Sequence, residues 1–124
     1  MKYLYLIYIE EKKADAMPKS EMDALMEETL VYNEALQKSG HFISTAGLQP
    51  VQTATTIRIR NGKASITDGP FAETKEVLGG FYVIEARDLN EAIRWASKSP
   101  SLHIGSVEVR PIDELIQQFA LVQK

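Results

Sequence analysis

Hydrophobic positions change their spacing several times along the chain, and each change marks an element. Residues 2–9, KYLYLIYI, run apolar without a break and are followed at once by charge. Such a run, rich in aromatic and branched side chains, predicts a strand. Leu4, Leu6 and Tyr8 point one way and Tyr3, Tyr5, Ile7 and Ile9 the other. Neither face is polar, so both should be covered. From Pro18 to Ser39 the spacing turns helical. Met22, Leu25, Met26, Thr29, Leu30, Asn33 and Leu36 recur at three and four, with Ser20 as N-cap and Asp23 closing a weak capping box. Gly40 is the natural C′ residue, and the methionines read as core filler.

HFISTAG (41–47) reads as a short strand ended by Gly47 and Pro50. In ATTIRIRNGKASITD (54–68), Asn61-Gly62 sits between two alternating runs, the strongest local cue for a hairpin. A two-residue turn there pairs Arg60 with Lys63, Ile59 with Ala64, Arg58 with Ser65, Ile57 with Ile66 and Thr55 with Asp68. Cross-strand partners share a face. One face then carries Ile57, Ile59, Ala64 and Ile66 and ends in Asp68, while Thr56, Arg58, Arg60, Lys63, Ser65 and Thr67 form the wet one. GGFYVIEA (79–86) is another strand apolar on both faces. Asp88 then caps a helix, with Glu91 at the third position and Leu89, Ala92, Ile93 and Ala96 along one side. GSVEVRPI (105–112) is a short strand, and Asp113 to Val122 a helix striped by Leu115, Ile116 and Phe119.

This order gives an α+β, ferredoxin-like split βαβ plan with an inserted hairpin and a C-terminal helix. Two helices on one sheet face leave the other open, yet the strands are apolar on both sides. An identical sheet is the economical cover, which predicts a sheet-on-sheet homodimer.

Composition narrows the chemistry. The 124 residues fit one domain, 1–124, with an ordinary balance of 44% hydrophobic and 25% charged residues. The chain has no cysteine, which removes thiolate metal sites and cysteine nucleophiles, and its two histidines show no ligand spacing. A net charge of −3 argues against a nucleic-acid or anionic-membrane binder. No apolar run approaches the roughly 20 residues that span a bilayer. The opening apolar stretch lacks a cleavage site, so a cytoplasmic location is expected. With no phosphate loop, dinucleotide fingerprint or zinc motif, the expectation is no cofactor and no metal.

The segment 68–76, DGPFAETKE, concentrates ionisable groups where no secondary-structure period runs. Asp68 ends the apolar hairpin face, so partial desolvation would fit it for proton transfer, with Lys75 as a nearby counter-charge. Its bland alternative is a turn in which Asp68 accepts backbone amide protons and Glu73, Lys75 and Glu76 are solvated. Glu108 and Arg110 share one face of a short strand. The candidate site is thus Asp68 as acid, base or acceptor, with Lys75, Glu73, Arg110 and Glu108 as ligand-binding groups. His41 suits a helix C-terminus, and His103 an exposed loop.

The opening YLYLIYIE, the Gly47-Leu48 and Pro50 turn, ATTIRIRNG, TDGPFAETKE, GGFYVIEARDLNEA and GSVEVRP together resemble the YCII-related proteins, and among them the subgroup named for Asp-Gly-Pro-Phe. The resemblance implies a ferredoxin-like fold assembled as a dimeric α/β barrel. It also implies a histidine–aspartate pair in some relatives, with the histidine on the first helix. Asp68 matches the aspartate, but the first helix has no histidine: residues 29–33 read TLVYN. Two functions follow as expectations. One is a small-molecule-binding protein or enzyme with a cleft near the 68–76 loop. The other, drawn from the resemblance, is a non-catalytic accessory protein associated with an extracytoplasmic-function sigma factor system.

Overall fold

The structure, a computed structural model, describes residues 1–122. Strand β1 (Lys2–Ile9) lies in the centre of a four-stranded antiparallel sheet. After it come α1 (Glu11–Asp15), α2 (Lys19–Lys38), β2 (Phe42–Gly47), a 3-10 turn at Val51–Thr53, and the hairpin β3 (Thr55–Arg60) and β4 (Lys63–Asp68). Then follow β5 (Val77–Glu85), α3 (Leu89–Ala96), β6 (Gly105–Pro111) and α4 (Glu114–Val122). The sheet order is β2-β5-β1-β6, and β3 and β4 pair only with each other. This is the ferredoxin-like α+β plan with an inserted hairpin and a terminal helix. No helix among the described residues is long and apolar enough to cross a membrane.

Tyr3, Tyr5 and Ile7 of β1, with Tyr82 and Ile84 of β5, face Tyr32 and Leu36 of α2 and Ala92 and Ala96 of α3. That layer is the core. Tyr5 stacks on Tyr82 with ring centroids 5.0 Å apart, and Tyr32 meets Tyr82 edge-on at 5.8 Å. Every hydroxyl in this cluster is partnered, as burial requires. Tyr32 donates to the Trp95 carbonyl at 2.8 Å and lies 2.5 Å from the Tyr5 hydroxyl, while Tyr82 donates to Asn33 Oδ1 at 2.5 Å.

Several expectations need correction. Helix α2 starts after Pro18, whose proline geometry ends the preceding turn, and Ser20 makes no capping bond. Its inward stripe is Met22, Leu25, Thr29, Tyr32 and Leu36, whereas Met26 and Leu30 face solvent. On α3, Leu89 and Ile93 are also exposed, because the two alanines allow the closest approach to the sheet. Helix α1 had no sequence signal strong enough to announce it. Within one chain strand β1 is covered on one face, and Leu4, Leu6 and Tyr8 on the face expected to meet a second copy are half-exposed.

The ends of the elements follow local chemistry. Gly40 has φ +79° and closes a Schellman motif, its N–H donating to Gln37 and that of His41 to Leu36. Gly105 pairs with Ile9 so tightly that an added Cβ would sit 1.8 Å from the Tyr8 carbonyl. Only glycine permits β6 to join β1 there.

Asp88 caps α3 by accepting from Glu91 N at 2.9 Å, and the Glu91 carboxylate accepts from Arg87 N at 2.9 Å. This reciprocal box holds both carboxyls below their ordinary values. For Glu91 the Arg87 N–H contributes most, and the His41 ring, 3.1 Å away, adds to it. A depressed folded value means stability that is present above the ordinary 4.5 and lost as pH falls through the lowered one. Melting temperature should therefore fall between about pH 5 and 3, and Glu91→Gln should flatten that slope. A pH series by circular dichroism checks this, and an unchanged slope in the variant would rule it out.

Candidate functional site

The hairpin register agrees at every pair with the one expected from Asn61-Gly62, both of which adopt positive φ. Its burial does not agree. Ile57, Ile59 and Ile66 are 64%, 71% and 68% exposed, while Thr56, Arg58 and Ser65 on the other face are half-covered. The loop after Asp68 folds under that polar face. Arg58 donates to the Phe71 carbonyl at 3.2 Å and lies over the Phe71 ring at 5.3 Å. Thr56 Oγ1 donates to the Gly69 carbonyl at 2.8 Å.

Between this arm and the main sheet lies a groove of about 800 Å³. Leu48, Pro50 and Val51 form one side, Ala54 to Ile57 the hairpin side, and Pro70 to Ala72 with Thr74 the loop side. Tyr8, Glu76, Val77 and Leu78 close it against β1 and the start of β5. The volume is that of an ordinary ligand site, and most of the lining is apolar with a few hydroxyls. In the β1 register, Tyr8 stands between Leu78 and Ser106, next to an irregularity at Ile7/Tyr8. Here the polar groups gather. The Tyr8 hydroxyl donates to Glu108 Oε1 at 3.2 Å, and Ser106 Oγ to Glu76 Oε1 at 2.7 Å. Loss of hydration and the Glu108 carboxylate both push the Tyr8 hydroxyl above its ordinary value, so it stays protonated and able to donate.

The residues expected to form a site are dispersed. Asp68 sits exposed at the end of β4, opposite Thr55, and does not line the groove. Within one chain the isoleucine face that Asp68 ends is open. Glu73 is exposed in the loop, and Lys75 lies 3.8 Å from Glu10 with its side chain 81% exposed. Glu108 and Arg110 occupy the open face of the main sheet, beside Leu6 and Leu4. Of the five, only Glu108 touches a groove residue directly through a described hydrogen bond. Glu76 and Tyr8 were missed as site residues. Glu76 stands in a charged run and reads as solvated, and Tyr8 belongs to an apolar strand.

His41 takes a role beyond the helix end. Its Nδ1 is 2.7 Å from Ser39 Oγ, its Nε2 3.1 Å from Glu91, and its ring packs by Trp95 at 5.1 Å. The ring thus ties the end of α2 to the start of α3. His103 lies 3.3 Å from Glu28 on the surface. Among the described residues no group of three or more acidic or histidine side chains converges as metal ligands.

A family model described as the YCII-related domain matches residues 1–116. An uncharacterised protein of Rhizobium meliloti (strain 1021) is 37% identical over 116 residues, covering 90% of this chain and 92% of the relative. Among solved structures, the fold is similar to 5-chloro-2-hydroxyhydroquinone dehydrochlorinase from Burkholderia phenoliruptrix AC1100 in complex with 2,5-dihydroxybenzoquinone. That likeness has a TM-score of 0.49 at 15% identity, covering 91% of this chain and 94% of the other.

Proposed function

Given that the chain belongs to the YCII-related family, we propose that it binds a small, largely apolar molecule in the groove between hairpin and sheet, as a homodimer. The observation that carries this reading is the groove's lining. An apolar wall of ligand-site volume, with the Tyr8 hydroxyl and the Glu76 carboxylate where it closes against the sheet, orients a guest as well as holding it. A protein that acts only through its outer surface needs no such concavity. The exposed isoleucine face beside the groove supports the dimer, because Ile57 belongs to both.

In this reading Asp68 keeps the end of β4 in place and contacts no ligand. Lys75 and Arg110 act on the surface. The chemistry assigned is binding and orientation.

A thermal-shift screen of small aromatic and aliphatic compounds tests the proposal. A compound at a hundredfold excess over its Kd raises stability by about 2.7 kcal/mol, a shift of several degrees. Ala72→Trp, an exposed position on the groove wall, should remove that shift without lowering the melting temperature of the free protein. Asp68→Asn should keep it. A shift that survives Ala72→Trp and disappears in Asp68→Asn would move the site out of the groove and onto the loop.

A further inference from the structure

We propose that the groove selects a ligand whose apolar body ends in a protonated amine, seated against Glu76; the proposal rests on the groove being the ligand site. Of the side chains lining it, Glu76 is the one that carries charge. Half-buried between Tyr8 and the loop, its Oε1 accepts from Ser106 Oγ, and among the described residues no lysine, arginine or histidine lies within ion-pair distance of it.

The charges just outside the lining reinforce the same sign. Glu108 accepts from the Tyr8 hydroxyl, and Glu11 Oε2 accepts from the backbone N–H of Val51 at 3.2 Å. Both Tyr8 and Val51 are wall residues. Against these stand three cations. Arg58 is occupied by the carbonyl and ring of Phe71, and Lys75 is drawn to Glu10. Arg110, two positions beyond Glu108 on the same face of β6, makes no ion pair with Glu108; its charge reaches the Tyr8 hydroxyl and there opposes that of Glu108, which leaves Glu76 as the charge within the lining.

A carboxylate head would meet this field as a like charge in a partly desolvated place. An alcohol would leave the carboxylate with a neutral donor. An ammonium group makes a charge-assisted hydrogen bond, about twice as strong, and the Tyr8 ring offers it a π face.

Calorimetric titration of two matched probe sets tests the inference: phenethylamine, phenethyl alcohol and hydrocinnamate, then hexylamine, hexanol and hexanoate. The amine of each set should bind at least about tenfold tighter than its alcohol, and the carboxylate weakest. Glu76→Gln should bring the amine to the level of the alcohol and leave the alcohol unchanged. Alcohol binding with no amine preference, or a preference that persists in Glu76→Gln, overturns the charge selection while leaving the groove as a site. Failure of all six probes to bind the wild-type groove overturns both. Should Glu76→Gln not fold, Glu76→Ala is read in the same titration, and a wild-type protein without amine preference overturns the charge selection by itself.

Discussion

Alanine at Tyr5 is expected to cost about 3–5 kcal/mol, the range for removing a large aromatic side chain from a packed interior. For a domain of this size that is most of a typical folding free energy. Tyr5 is fully buried on the central strand, stacked on Tyr82 and hydrogen-bonded to Tyr32. The hydroxyls separate cavity from hydrogen bond. Since Tyr32 spends its proton on the Trp95 carbonyl, Tyr5 must be the donor of the pair. Tyr5→Phe therefore leaves Tyr32 its own donor bond and should cost about 1 kcal/mol. Tyr32→Phe leaves a buried hydroxyl with no acceptor and should cost about 1–3 kcal/mol. The double phenylalanine variant should cost less than the sum, because no orphaned donor remains at Tyr5. Urea unfolding of the four proteins checks the order. Equal costs for the two single variants would refute the donor assignment.

The same cluster sets an alkaline limit. Burial, above all, pushes the Tyr5 hydroxyl well above its ordinary value and that of Tyr32 up to about 12. A raised folded value means stability held below the ordinary 10 and lost as pH climbs past it. Tyr32→Phe should shrink that alkaline loss.

The second large effect is on assembly. Ile57, Ile59 and Ile66 lie side by side on a two-stranded ribbon, each more than 60% exposed. An isolated hairpin is marginal in water, and each covered isoleucine gains about 1.5–3 kcal/mol. A net charge of −3 offers little repulsion between copies. We expect a dimer in sedimentation at micromolar concentration, burying at least about 800 Å² per chain. Ile59→Glu should weaken it by more than about a hundredfold, since the carboxylate would enter an apolar contact unpaired. A wild-type monomer under these conditions would remove the homodimer; a dimer unaffected by Ile59→Glu would move its interface from the hairpin to the open face of the main sheet.

How far the sequence was legible depended on how local the determining physics is. Asn61-Gly62 set the hairpin register because a two-residue turn leaves one pairing, and Asp88 with Glu91 marked the α3 cap because the box spans four residues. The inward stripe of α2 was harder. Met22, Leu25, Thr29, Leu36 and also Met26 and Leu30 fit a helical period, as does the buried Tyr32. Which edge turns inward is decided by β1 and β5, far away in sequence. The groove was least legible of all. Its walls come from residues 8, 48–57 and 70–78, and no spacing rule brings Tyr8 to Glu76. The hairpin faces were half legible for a related reason: alternation says which residues share a face, and only the rest of the assembly says which face is dry.

The central position of β1 carries a cost during synthesis. Its neighbours, β5 and β6, lie roughly seventy to a hundred residues further along the chain, so a nascent polypeptide displays KYLYLIYI unpaired until nearly the whole domain has been translated. That segment is apolar on both faces and has the β propensity of an aggregation-prone stretch. At several residues per second it waits for many seconds before either edge is satisfied. The charged run that follows it, EEKKAD, acts as a gatekeeper at its exposed end. Yield in a rapidly expressing cell should therefore respond to chaperone supply and growth temperature more than the finished fold's stability would indicate.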